Sequence, residues 1–486
     1  MLLIAGLAIP RSAFAHLVLV SSAPPAGSTL AAAPSAVGLS FSEDPQLGAT
    51  RIEVMNGSGA RVDSGAPFLV HIPKHTLEVP LEGSLAPGTY TVRWRTTSDD
   101  GHPVHGSFTF TIAESAIAAP TKAPLAAGPE TVSHASPAMS MDTTEAGGFD
   151  VESPLYVIVR WVSFVAMLAL VGSIVLARWV TPRAAAGRPE LARRVDARAL
   201  VVFRLATALL LIDAALRLAA QVAALRGNPP MPVDVTAIVT TTVWGWAWLF
   251  EVAACIIAIV AALKAGAARW RVAEAAAFVL ALSFAFSGHA AAATHLRALA
   301  VSADALHILA AGSWLGTLLG VAVVAMPACL AQDEGTRGAA AADFVNAFSP
   351  VALTSAGVLV VTGVIAAWLH LGSWHAFVDS DYGRTLLIKL ALVATVVALG
   401  AINWRILRPA LGTEAAARRL RRSAALELVA AAAVLAATAV LVAASPPADM
   451  PDMGAAQPAG APAATAASAP AEGIAIRARV PRSAGT

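Results

Sequence analysis

Cysteine is nearly absent from this chain. Cys255 and Cys329 are the only two among 486 residues, and each sits inside an apolar run. They cannot build a disulfide framework, so packing has to hold the fold. Charge is scarce too: Asp, Glu, Lys and Arg make up 13% of the residues and nearly cancel, leaving a formal net charge of +2. That balance excludes the basic footprint of a nucleic-acid-binding protein. No Walker-type phosphate loop occurs, so the sequence offers no coupling to ATP.

Apolar residues are what the chain has in excess. They reach 57%, with a mean hydropathy of +0.68, well beyond the make-up of an average soluble protein. The excess is unevenly spread. Residues 16–113 have ordinary β-protein composition, 114–150 are rich in Ala, Pro, Ser and Thr, 151–445 hold nearly all the long apolar runs, and 446–486 return to Pro, Ala and Ser. The first fifteen residues, MLLIAGLAIPRSAFA, read as a secretory leader: an apolar core followed by Ala13-Phe14-Ala15, a small-residue cleavage pattern. Basic residues ahead of the apolar core are missing, and Arg11 lies behind it. Cleavage after Ala15 would make His16 the first residue of the mature protein.

From 17 to 113, short alternating segments are separated by Gly and Pro turns: V37-G-L-S-F41, T50-R-I-E-V-M55, T76-L-E-V-P-L81, T89-Y-T-V-R-W-R95 and S107-F-T-F-T-I112. This pattern predicts a small all-β Greek-key sandwich or barrel. Residues 114–150 read as a flexible linker and 446–486 as a disordered tail. Between them, 151–445 predict an all-α polytopic membrane bundle of about eight spans, near 155–180, 200–225, 240–263, 272–293, 299–329, 347–370, 385–406 and 424–445. Arginine-rich loops after the first, third and seventh spans place those loops in the cytoplasm. The β domain and the C-terminal tail then lie on the periplasmic side of a bacterial inner membrane.

That topology sorts the histidines by depth. His289 falls near the outer end of the fourth span and His295 in the short turn after it. His307 lies about two turns into the fifth span, with Asp304 one turn above it, and His370 and His375 end the sixth. Such histidines either cap helices and bind water, or line a metal or haem route; five on one side favour a route. His289 and His307 are expected within the hydrocarbon region. Asp213 and Arg217, four apart, are expected to pair on one helix face, and Glu251 and Glu427 to pack with arginines. Trp244, Trp246 and Trp248 read as an interfacial anchor. Cys255, Met326 and Cys329 are small packed residues or soft sulfur ligands for Cu(I), the first reading being favoured.

The stretch S98-D-D-G-H-P-V-H-G-S-F-T-F110 raises a second metal question. A mature N-terminal His16 offers an α-amine and an imidazole, which can chelate one ion. With His102 and Asp100 they form a tetragonal N/O set that suits Cu(II). Asp100 and His102 are two apart, which puts them on one side of an extended segment. Asp99 and His105 are neighbours that could orient the ligands, although a solvated strand-edge role is favoured for His105.

With the leading H16-L-V-L-V-S-S-A-P-P-A-G-S and S42-E-D-P45, this block resembles the CopC copper-binding domain over essentially all of 16–113. The eight-span part resembles CopD, notably at S287-G-H-A290 and H307-I-L-A-A-G-S-W-L-G316, so the whole resembles a CopC–CopD fusion. The resemblance implies a Cu(II) site at His16, Asp100 and His102. It also implies that a Met-rich Cu(I) site is missing, since Met55 is the only methionine between 16 and 113.

The expected function is capture of Cu(II) by the exported domain and its passage, with Cu(I) in the membrane part, through the bundle for uptake or tolerance. The expected partners are copper ion, the lipid bilayer and periplasmic copper proteins, and no enzymatic activity is expected. Two readings compete: a haem- or copper-dependent membrane redox protein such as a cupric reductase, and a copper chaperone or sensor without transport. The Cu(II) chelate depends on the cleaved N-terminus. Mass spectrometry of the mature protein is expected to give His16 as residue one; any other first residue removes the chelate.

Overall fold

The computed structural model describes residues 17–70, 72–114, 153–293, 296–370, 381–407 and 414–443. The first part is a β sandwich. Its strands are β1 (Leu19–Ala23), β2 (Thr29–Leu30), β3 (Ala36–Phe41), β4 (Arg51–Met55), β5 (Phe68–Val70), β6 (Thr76–Pro80), β7 (Gly88–Thr97) and β8 (Pro103–Ile112). One sheet has the order β1-β3-β6-β5 and the other β2-β8-β7-β4. The five strands expected from alternation are present, joined by β1 and the shorter β2 and β5. Alternation turns Val37, Leu39 and Phe41 of β3 and Tyr90, Val92 and Trp94 of β7 into one core. There Phe41 meets Trp94 edge-on at 5.3 Å and Tyr90 stacks on Phe110 at 5.3 Å.

The hairpin β7–β8 is the longest in the sandwich, in register from Gly88↔Ile112 to Thr97↔Pro103. It leaves Ser98–His102 as the connecting loop. Asp100 and His102 therefore belong to a turn and not to an extended strand, contrary to the expectation from their spacing. The turn closes through Ser98 N to His102 O at 3.1 Å and Gly101 N to Ser98 O at 3.0 Å. Gly101 takes φ +86, a conformation that side chains with a Cβ rarely adopt.

The second part is helical: α1 (Pro154–Ala184), α2 (Pro189–Arg226), α3 (Val235–Thr241), α4 (Val243–Ala262), α5 (Ala268–Phe286), α6 (Arg297–Leu330), α7 (Glu334–His370), α8 (Asp381–Ile402) and α9 (Glu414–Ala443). Their starts follow from sequence. Ser153 caps α1 with Pro154 at its first position, Asp234 caps α3, and Thr242 caps α4. Seven of these helices are long and apolar enough to cross a membrane among the described residues. The eighth expected span is α5, which carries Arg269, Arg271 and Glu274 in its first two turns and does not reach that standard. It ends at Phe286, short of the expected 293, so His289 lies beyond the helix.

Between apolar helices in lipid, close packing replaces the hydrophobic effect as the source of association. Gly312, Gly316 and Gly320, each four residues apart on α6, supply that packing against α1. A Cβ on Gly312 would come 2.5 Å from Val171 Cβ, and one on Gly320 would come 3.0 Å from Leu176 Cδ2. One on Gly316 would collide with the Leu168 carbonyl. Buried charge is matched within the bundle: Arg217 Nε lies 3.3 Å from Asp213 Oδ2, and its Nη2 bonds Glu251. The Asp213–Arg217 pair is the expected one, and Glu251 also pairs with an arginine. Glu427 instead accepts from Asn403 Nδ2 at 2.8 Å.

The sandwich docks on one end of the bundle. Ala49 packs with Leu225, Ile238 and Trp244. The Trp244 ring lies under the 98–102 turn, where a Cβ on Gly101 would come 2.5 Å from its Cδ1. Trp244 is thus a docking residue and not the expected membrane anchor, whereas Trp246 is half exposed beside Phe250. Gly316→Leu should separate α6 from α1, at a cost above the roughly 1–3 kcal/mol of ordinary overpacking. Size-exclusion of the detergent-solubilised variant is expected to show loss of the monodisperse species, with Gly335→Leu, at a position with open space around it, behaving as wild type.

Candidate metal centre

The β7–β8 turn and the turn between α5 and α6 meet. After Ser287 the chain folds through a short turn, with Ala291 N bonding Gly288 O at 2.9 Å and Ala292 N bonding His289 O at 3.2 Å. This turns His289 toward the sandwich. Its Nδ1 reaches Asp100 Oδ2 at 3.2 Å, and His102 Nδ1 reaches the same oxygen at 2.9 Å. The two imidazoles stack, with centroids 5.1 Å apart and planes 13° from parallel. Asp100, His102 and His289 each offer one ligand atom, all within 4.8 Å of one another. Among the described residues this is the only such group of three.

The other Asp100 oxygen is held locally. Oδ1 accepts from the Ser98 hydroxyl and from the His102 backbone N–H at 3.2 Å. The carboxylate is buried, and burial alone would raise its pKa. The His102 and His289 imidazoles outweigh that and hold it well below the usual carboxylate range. Because a carboxylate only accepts, each imidazole presents Nδ1–H to Oδ2 in this arrangement. A cation among these three groups would take the place of those protons.

Neighbouring contacts fix the two turns against each other. Asp99 Oδ2 accepts from Arg297 Nη1 at 2.8 Å, and Asp99 Oδ1 accepts from Gln46 Nε2 at 2.5 Å. Burial raises the Asp99 carboxyl above its ordinary value, with Arg297 acting against that rise. Gln221 Nε2 donates to Gly101 O at 2.7 Å, and Arg95 Nη1 to Ala224 O at 3.2 Å. Asp99 is therefore a docking residue beside the site. Gln46, Gln221 and Arg297 were not legible from sequence as its partners, since no motif marks them.

The remaining expected residues separate. His105 is exposed on β8, opposite Arg95 in the ladder, and is not brought to the cluster. His307 lies apart, with Nδ1 2.9 Å from Thr362 Oγ1. The Thr362 hydroxyl gives its proton to Val358 O at 2.8 Å, so His307 Nδ1 is the donor and the lone pair of the neutral ring is on Nε2. His370 closes α7. His16, His295 and His375 lie outside the described residues.

Comparison with known proteins covers both parts. Residues 19–113 match the CopC domain model, 150–299 the copper resistance protein D-like N-terminal domain, and 342–441 copper resistance protein D. The copper transport protein CutJ of Bacillus subtilis (strain 168) is 24% identical over 409 residues, covering 82% of this chain and 70% of that one. Copper resistance protein C of Escherichia coli is 36% identical over 108 residues, covering 21% of this chain and 84% of that one. The crystal structure of CopC from Methylosinus trichosporium OB3b aligns at 30% identity with a TM-score of 0.19, covering 20% of this chain and 94% of that one. The chain thus belongs to the CopC–CopD copper resistance family, with a CopC domain and a copper resistance protein D region joined in one polypeptide.

Proposed function

We propose that this protein captures Cu(II) in its β domain and passes it, across the domain contact, to the membrane bundle for transport. The observation that carries this reading is the shared Asp100 oxygen, within reach of one imidazole from each part of the chain. Imidazole nitrogen and carboxylate oxygen are donors suited to Cu(II). An ion held by Asp100 and His102 can gain His289 before it loses any sandwich ligand, so it never has to pass through a bare state. Membership of a copper resistance family, and similarity to a protein named for copper transport, support copper as the cargo.

In this reading the capture set also includes His16, released by leader cleavage. The sandwich faces the periplasm of a bacterial inner-membrane protein, and the arginine-rich loops face the cytoplasm. His307, with Nε2 left for a ligand, is the next station inward along α6. The protein is a carrier and not an enzyme, and copper is its cargo and not a resident cofactor.

The discriminating residue is His289, because it belongs to the bundle and contacts the sandwich. Cu(II) EPR of the full chain is expected to differ from that of His289→Ala in its nitrogen hyperfine pattern, with Cu(II) affinity reduced about tenfold, the scale for loss of one supporting ligand contact. Identical spectra and affinities would remove His289 from the site. For the function itself, cells expressing the full chain should change their copper content relative to empty cells, and His289→Ala/His307→Ala should abolish that change. Copper content that is the same for all three would overturn transport and leave a chaperone or sensor.

A further inference from the structure

At a distance in sequence from the copper ligands, a cavity of about 250 Å³ opens among α6, α7, α8 and α9. Three π-helical turns meet at its wall: Gly312–Gly316 contributes Trp314, Val321–Ala325 contributes Val321, and Asn403–Leu407 contributes Asn403 and Trp404. Such turns, which place one extra residue in a helical turn, occur frequently at functional sites. The rest of the wall is mostly aliphatic, including Ala352 of α7. Glu427 supplies a carboxyl that is buried in the bundle.

Donors lining this cavity are already committed: the Ser349 hydroxyl to Val345 O at 2.7 Å, and the Trp314 indole N–H to Glu427. Asn403 commits its amide NH2 to Glu427 Oε2 at 2.8 Å, which orients the amide and leaves Asn403 Oδ1 as an acceptor. That oxygen is buried and has no hydrogen-bond partner among the described residues. Glu427 has no ion pair among them either. Gly400 of α8 lies beside this carboxyl, where a Cβ would sit in ordinary contact, 3.5 Å from Oε1 and 3.7 Å from the Trp314 ring. An occupant therefore needs an apolar body for the aliphatic and indole walls and a hydrogen-bond donor for the buried Asn403 Oδ1. An acyl chain satisfies the first requirement and fails the second.

We propose that this cavity binds the ring of a membrane-soluble hydroquinone, one of whose phenolic hydroxyls donates to Asn403 Oδ1 beside Glu427. Hydroquinones combine a flat apolar ring with O–H donors and reach the site from the bilayer. The inference does not depend on the copper reading, since none of Asp100, His102, His289 and His307 lines the cavity.

The test uses the full chain in lipid nanodiscs under anaerobic conditions, titrated with a short-tailed ubiquinol and followed by quenching of tryptophan fluorescence. Saturable binding of one ubiquinol per chain is expected. The dimethyl ether of the same ubiquinol keeps the ring and loses both donors, and should bind at least about tenfold more weakly. Glu427→Leu and Ala352→Phe should each weaken ubiquinol binding by about tenfold or more, while Cu(II) EPR in a separate sample stays as in wild type. The proposal is overturned if the ether binds within about threefold of ubiquinol, if Ala352→Phe binds as wild type, or if no saturable binding occurs. It is also overturned if added phospholipid displaces the ubiquinol, because the cavity is then an acyl-chain groove. Comparing ubiquinol with its ether on the wild-type chain decides the matter even where a variant fails to fold.

Discussion

One carboxylate oxygen, Asp100 Oδ2, joins the two parts of this protein. It is shared by imidazoles on a sandwich turn and on a bundle turn, the latter 189 residues away in sequence. A buried carboxylate without partners would be strongly unfavourable. Here the Ser98 hydroxyl, the His102 backbone and both imidazoles compensate it, two donors to each oxygen. Removal of the sandwich from the bundle strips away one of those four donors and returns the carboxylate toward water. The docked geometry and the chemistry of the site thus depend on the same group.

The bundle keeps its half of this arrangement in place by close contact between helices. The glycines at 312, 316 and 320 let α6 lie against α1, and α6 begins at Arg297, which bonds Asp99 of the sandwich. A second line of contacts runs along α2. Gln221 holds the Gly101 carbonyl, Arg217 lies one turn deeper, and Asp213 one turn deeper again. Gln221 donates to the sandwich backbone, Arg217 bonds Glu251, and Asp213 faces the same guanidinium as an ion pair at 3.3 Å. Polar contact with the sandwich passes without a break into buried charge in the bundle, which apolar helices alone would not tolerate.

Much of this was legible from sequence, and the misses have physical causes. Period-two alternation marks a half-buried strand, so five strands could be read, whereas β2 and β5, at two and three residues, are too short to show a period, and β1 does not alternate in burial. Eight helices were expected as spans; among the described residues seven are long and apolar enough to cross a membrane, and α5 is not, because Arg269, Arg271 and Glu274 interrupt it. Asp100 and His102 were expected on one side of an extended segment, and the structure brings them together in another way. They converge through a turn that Gly101 permits, not through strand pleating. His289 was visible as a histidine near a helix end, and its partner was not. Contact between a loop at 98–102 and one at 287–292 is a tertiary fact that no local spacing encodes. The same holds for Trp244, whose position at a helix start suits a membrane interface and a docking surface equally well.

Joining the two domains in one chain changes the energetics of ligand exchange. For separate proteins, the second imidazole would be supplied at the concentration of its owner. Within one chain it is supplied at an effective concentration on the order of millimolar, without any new contact. The ligands on the two sides are also alike, imidazole against imidazole around a common carboxylate. In the proposed transfer, an ion moving from His102 toward His289 would exchange one N/O environment for another of similar kind, and the step would be close to balanced. Near-balance is what a transfer site requires, since a much tighter second site would hold the ion and a weaker one would not draw it. Under that proposal, the direction of net movement would have to come from what lies on either side of the contact, in concentration or in later ligands, and not from the contact itself.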